Sequence, residues 1–85
     1  MILLKTRSGR FLNAAHVISL SIEEAKIEID GRKRNVFKIV AYLTQPLLPA
    51  VIGIYATEEK AKEVLNSVAM RLSQDERIIA TESEF

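Results

Sequence analysis

Two short basic turns carry most of the side chains able to do chemistry. Arg7 and Arg10 flank Ser8-Gly9, and Arg32, Lys33 and Arg34 follow Asp30-Gly31. Guanidinium and ammonium groups clustered on turns suit phosphate or carboxylate oxygens. Asn35 and Tyr55 can add directional hydrogen bonds. Thr57 stands where a helix begins, beside N–H groups that lack helical partners. In an antiparallel meander, alternate turns lie at one end of the sheet. The two basic turns and the helix N-terminus are therefore expected to converge as an anion site for phosphate, nucleotide or nucleic-acid backbone. The competing reading is two solvated turns, with Glu58 and Glu59 neutralising part of the field. An extra strand crossing at Glu23-Glu24 would reverse the end assignment.

Catalytic constellations are missing. His16 is the only histidine and there is no cysteine, so neither a His-Glu-x-x-His zinc motif nor a thiolate site can form. No serine sits in a Gly-x-Ser-x-Gly elbow, and no phosphate loop of the Gly-x-x-x-x-Gly-Lys type occurs. The pairs Glu23-Glu24 and Glu58-Glu59 are adjacent and project apart, which is poor geometry for acid–base work. The expectation is a protein that is not an enzyme and uses no metal or cofactor. Nucleic-acid binding is the weaker form of the anion reading. Phe11 and Phe37 read as core rather than as a stacking platform, and no helix has a basic face fit for a groove.

The elements that must position these groups are mostly strands. Ile2–Thr6 and Phe11-Leu12 read as a short hairpin around Ser8-Gly9. In the next segment Ile18, Leu20 and Ile22 alternate on one face, and alternation resumes with Ala25, Ile27 and Ile29. Glu23-Glu24 between them is a bulge or a strand boundary. Asp30-Gly31 is a hairpin signal, with Val36–Leu43 as the return strand. Phe37, Ile39, Ala41 and Leu43 line one face of it. Gln45–Pro49 is a loop, because its prolines cannot donate to a ladder. Val51–Tyr55 is the next strand. A helix then runs from about Glu58 to about Ser73, with Thr57 as N-cap and a buried stripe of Ala61, Val64, Leu65, Val68 and Leu72. Arg77–Thr81 reads as a short last strand, and Glu82–Phe85 as a frayed tail. The fold class is α+β: one antiparallel meander of about five strands, with a C-terminal amphipathic helix packed on one face.

One helix covers one face of a sheet. Val36, Val40 and Tyr42 lie on the opposite face, and Leu47, Leu48 and Val51 add apolar surface near a loop. A patch of that kind marks an interface, so a homo-oligomer is expected. Edge pairing through Ile78 and Ile79 is a second route. The bland alternative is that Ile78-Ile79 folds back and covers the patch.

At 85 residues this is one small domain, 1–85. Absence of cysteine fits a reducing cytoplasm. No apolar run is long enough for a membrane span, and Met1–Leu4 lacks the form of a signal peptide. The net charge of +1 gives no global field to attract nucleic acid.

Lys5-Thr6-Arg7-Ser8-Gly9-Arg10-Phe11-Leu12-Asn13, followed by Val17-Ile18-Ser19-Leu20, resembles the opening of many short uncharacterised proteins of Gram-positive bacteria and their phages. The run from Ile52 to Leu65, including Tyr55-Ala56-Thr57-Glu58-Glu59, resembles their ending. The resemblance covers about half the chain. It implies an antiparallel sheet closed by a C-terminal helix and a mobile-element context, and no activity or catalytic residue. The apolar Pro46–Pro49 loop and the extension after Ser73 depart from that pattern. The functional expectation is a self-associating binding module for an anionic, nucleotide-like ligand. In a phage this would be a counter-defence sponge for a host nucleotide signal. The alternatives are a protein-binding inhibitor or adaptor acting on a host partner, and a weak nucleic-acid binder.

Overall fold

The computed structural model describes residues 1–85. The chain runs β1 (Leu3–Lys5), β2 (Phe11–Asn13), a 3-10 turn (Ala14–His16), β3 (Val17–Ile29), β4 (Arg32–Leu43), β5 (Ala50–Tyr55), α1 (Glu58–Ser73) and β6 (Ile78–Ile79). The class is α+β, but the strands form two three-stranded sheets rather than one five-stranded meander. Their orders are β2-β1-β6 and β3-β4-β5. The division is made at Asn13. Its side-chain oxygen accepts from the Ala15 N–H at 3.0 Å and caps the 3-10 turn. The chain leaves β2 there and starts a new sheet. Strand β6 then pairs parallel to β1, Leu4 opposite Ile79.

Glu23-Glu24 is neither a bulge nor a boundary. Strand β3 is continuous there, with Glu23 opposite Lys38 and Glu24 opposite Phe37. The irregularity falls earlier, between Val17 and Ser19, and leaves Ile18 exposed rather than in line with Leu20. Ile22 and Ala25 are three positions apart, an odd offset, so the apolar side of β3 changes face within one straight strand. Leu20 and Ile22 join the core with Ile39 and Ala41. Ala25 and Ile27 lie on the opposite face, with Val36 and Arg34 as their partners. Beyond Glu23 the β3–β4 ribbon therefore presents Glu24, Lys26 and Glu28 to solvent on its helix side. The ribbon ends in the two-residue turn Asp30-Gly31, both with positive φ (51° and 76°), as a type I′ hairpin requires.

Helix α1 starts where Thr57 Oγ1 accepts from the Lys60 N–H at 3.2 Å, with Glu58 and Glu59 in its first turn. Ala61 and Val68 are fully buried, and Val64, Leu65 and Leu72 pack partly buried beside them. The core lies between this stripe, the β3-β4-β5 sheet and the small sheet, which contributes Leu4, Leu12 and Ile79. Phe11, expected inside, is exposed, because alternation gives the inward position to Leu12. Gly53 is required by close approach: a Cβ there would overlap the buried Tyr55 ring. No helix is long and apolar enough to cross a membrane.

Residues Glu82–Phe85, expected as a frayed tail, are placed against the sheet by hydrogen bonds. They lie along the free edge of β5, which would otherwise expose unpaired backbone groups. Ser83 Oγ accepts from the Ile54 N–H at 2.8 Å, and the Glu84 N–H donates to the Ile54 oxygen at 3.0 Å. The Tyr55 hydroxyl donates to the Glu82 oxygen at 2.9 Å. The Arg7 N–H donates to the Val51 oxygen at 2.9 Å, so the β1–β2 turn covers the same edge further down.

Candidate anion-binding groove

A groove of about 600 Å³ opens between the β1–β2 turn and the proline loop before β5. The turn is braced internally. The Thr6 N–H donates to the Arg10 oxygen at 2.7 Å, the Arg10 N–H donates to Thr6 Oγ1 at 3.1 Å, and Thr6 and Ser8 share a hydroxyl–hydroxyl bond of 3.0 Å. Gly9, at φ 91°, closes it. These bonds fix the backbone from which Arg7 and Arg10 project. The floor is apolar, from Leu12, Leu43, Ala50 and Val51. The far wall is Pro46–Pro49, entered through a cis Gln45-Pro46 bond, with Leu47 and Leu48 exposed at the lip. No acidic residue lines the groove. The Arg10 guanidinium has no ion pair or hydrogen bond within the protein, so its donors point to solvent. A concave site with the free Arg10 guanidinium, the Ser8 hydroxyl, an Arg7 side chain along one wall and an apolar floor fits a ligand with an anionic end and a flat or apolar body.

A second cavity of about 500 Å³ lies across Arg7, lined by Lys5, Thr6, Arg7, Thr81, Glu82, Ser83 and Phe85. Arg7 Nε and Nη2 donate to the main-chain oxygen of Phe85 at 2.9 and 2.7 Å. The Arg34 guanidinium stands over the Phe85 ring, 5.1 Å from its centroid. Just before α1, the Ala56 N–H donates to Glu84 Oε1 at 2.9 Å. The β1–β2 turn, the β3–β4 ribbon and the approach to the helix thus meet at one place, and Glu84 and Phe85 of the same chain fill it.

The sequence-derived ligand residues divide accordingly. Arg7 and Arg10 line the groove, and Arg34 meets Arg7 only through Phe85. Arg32, Lys33 and Asn35 are exposed on the outer ribbon and line neither cavity, because β4 extends back to Arg32 and carries them away from the core. Tyr55 is buried with its proton donated to Glu82, and Thr57 serves the helix. Burial pushes the Tyr55 phenol above the usual tyrosine value, the neighbouring Thr81 hydroxyl opposes that rise and the Glu84 carboxylate adds to it. Thr81 Oγ1 is itself buried without a well-directed hydrogen bond.

The interface residues divide as well. Val36 and Val40, expected on an open face, are buried within the monomer, and Ile79 belongs to the core through its pairing with Leu4. Val51 is half-buried at the groove floor. Tyr42, Leu47, Leu48 and Ile78 remain exposed. Tyr42 hydrogen-bonds the Glu23 carboxylate, which holds its phenol above the ordinary value. Sequence reasoning missed Thr6, Ser8 and the Ser83–Phe85 tail. The apolar proline loop was the available signal for the far wall.

Compared with protein-family models, curated proteins and solved structures, the chain matches none.

Proposed function

We propose that the protein is a non-enzymatic binding module for a small anionic ligand of the nucleotide type, seated in the groove between the β1–β2 turn and the proline loop. The observation that carries this reading is the pair Arg7 and Arg10 above an apolar floor with no carboxylate in the lining. The groove volume falls in the range of small-molecule sites. Phosphate oxygens would meet Arg10, Arg7 and the Ser8 hydroxyl, and a base would lie toward Leu12, Leu43 and Leu48. Sequestration of a nucleotide signal in a mobile-element setting is the concrete biological form of this proposal.

Self-association belongs to the same reading. Leu48 is 82 % exposed at the groove lip, and a second copy packed there would cover it and enclose the ligand. The same exposure favours one alternative, docking of a host protein on Leu47 and Leu48.

Titration calorimetry with adenosine and guanosine mono-, di- and triphosphates tests the ligand class. Arg10→Glu should weaken binding by about tenfold or more, the worth of a charge-assisted hydrogen bond and its reversal. Equal affinity in wild type and variant, or no binding of any nucleotide, rejects the groove as a nucleotide site. A shallow salt dependence separates a nucleotide from a nucleic-acid tract, which releases many counterions.

A further inference from the structure

Phe85 is held as a ligand would be. One guanidinium, Arg7, donates twice to its oxygen, and another, Arg34, covers its ring. These two arginines come from strand and turn elements far apart in sequence, and no acidic side chain pairs with either. An oxygen acceptor at a fork of N–H groups beside a ring under a cation is also the pattern a phosphate or carboxylate attached to an aromatic ring would satisfy. The cavity under the tail has room beside Lys5, whose ammonium would add a positive charge that offsets the Glu82 carboxylate in the same lining.

We propose that the Arg7–Arg34 clamp is a second recognition site, specific for an anion joined to a flat ring, and that Phe85 occupies it as an internal competitor. This rests on the anionic-ligand reading only through Arg7, which walls both cavities; its ring-binding half is separate from the groove. Because the tail is tethered, it competes at an effective concentration in the millimolar range. Weak ligands are thus excluded, and a ligand that enters must lift Ser83–Phe85 from the β5 edge. Entry is then coupled to exposure of the Ile54 and Ala56 backbone groups that the tail now satisfies.

The test uses phenyl phosphate and inorganic phosphate as probes, in an Arg10→Glu background that disables the groove. Phe85→Ala leaves the main-chain oxygen on Arg7 but vacates the ring position under Arg34, and should tighten phenyl phosphate binding by roughly tenfold over the parent, the effect of weakening a tethered competitor. Inorganic phosphate should gain less, since it has no ring. Phe85→Leu keeps apolar bulk without the ring and should show the same preference, which guards against a folding defect in the alanine variant. Adding Arg34→Ala should erase the difference between the two probes. Hydrogen exchange at Ile54 and Ala56 should speed up when phenyl phosphate binds the parent protein. Equal binding of the two probes in both Phe85 variants overturns the clamp while leaving the groove reading standing. Nucleotide binding lost in Arg10→Glu with the phenyl phosphate gain retained separates the two sites. Phenyl phosphate gain without any nucleotide binding to wild type rejects the groove and supports the clamp.

Discussion

Arg7 is the residue on which most of the site geometry depends. Its N–H ties the turn to Val51, its guanidinium holds Phe85, and its side chain walls both cavities. Arg7→Ala is expected to free the tail while leaving the core intact, because none of its partners lies in the core cluster. Faster exchange of the Ile54 and Ala56 amides with an unchanged far-ultraviolet spectrum is the expected outcome; unchanged exchange would show that Ser83 and Glu84 hold the tail alone. Gly53 makes the opposite kind of contribution, by having no side chain. Gly53→Ala would drive a methyl group into the Tyr55 ring and is expected to cost about 1–3 kcal/mol in denaturant unfolding. A loss within error of zero would mean that the ring can move aside.

At the scale of elements, the end of α1 is a Schellman turn. The Asp75 N–H donates to the Leu72 oxygen and the Glu76 N–H to the Arg71 oxygen, with Asp75 at φ 54°. A glycine is better suited to that backbone, so Asp75→Gly should raise stability by under about 1 kcal/mol. A fall in the melting temperature would contradict this. The turn is braced by Arg71, which donates to both Glu76 oxygens at 3.0 and 2.9 Å and to the Ala80 oxygen at 2.9 Å. Arg71 thereby fixes the approach to β6. The same hydrogen bonds hold the Glu76 carboxyl below the ordinary value of 4.5. A depressed carboxylate stabilises the fold fully above its unfolded value, and that contribution is lost as pH falls through the folded value. Glu76→Gln should therefore flatten the acid limb of the melting temperature below about pH 4.5. Superimposable acid limbs would show that this part-buried pair adds nothing.

For the whole molecule, the question is which apolar surface is left over. Burial of Val36 and Val40 removes the open-face interface, and the tail and the β1–β2 turn cover the β5 edge. Leu47, Leu48, Tyr42 and Ile78 remain on the surface. If copies associate through the groove lip, Leu48→Glu should reduce the native mass to that of one chain without lowering thermal stability of the monomer. An oligomer that survives this change must use another surface, and a wild-type monomer would move the reading to a partner protein docked on Leu47 and Leu48.

Local order was legible in the sequence. The Thr57 cap, the stripe from Ala61 to Leu72 and the Asp30-Gly31 turn are set by contacts within a few residues, and each stands where its pattern puts it. The core side of β4 was legible too, because alternation in Phe37, Ile39, Ala41 and Leu43 needs only one covered face. Sheet membership was not, since the Asn13 cap that ends the first hairpin is a short polar signal. The parallel pairing of β1 with β6 joins residues more than seventy positions apart. Glu23-Glu24 looked like a break because the apolar phase changes there; the strand stays straight and the covered side changes instead. Residue type alone marked Arg7, Arg10, Arg32, Lys33 and Arg34 as candidate anion ligands, without separating those that line a cavity from those on the outer ribbon. Only the tertiary structure decided that Arg7 and Arg34 meet over Phe85. That meeting depends on backbone hydrogen bonds along a free strand edge, which any polar tail can make and no local pattern announces.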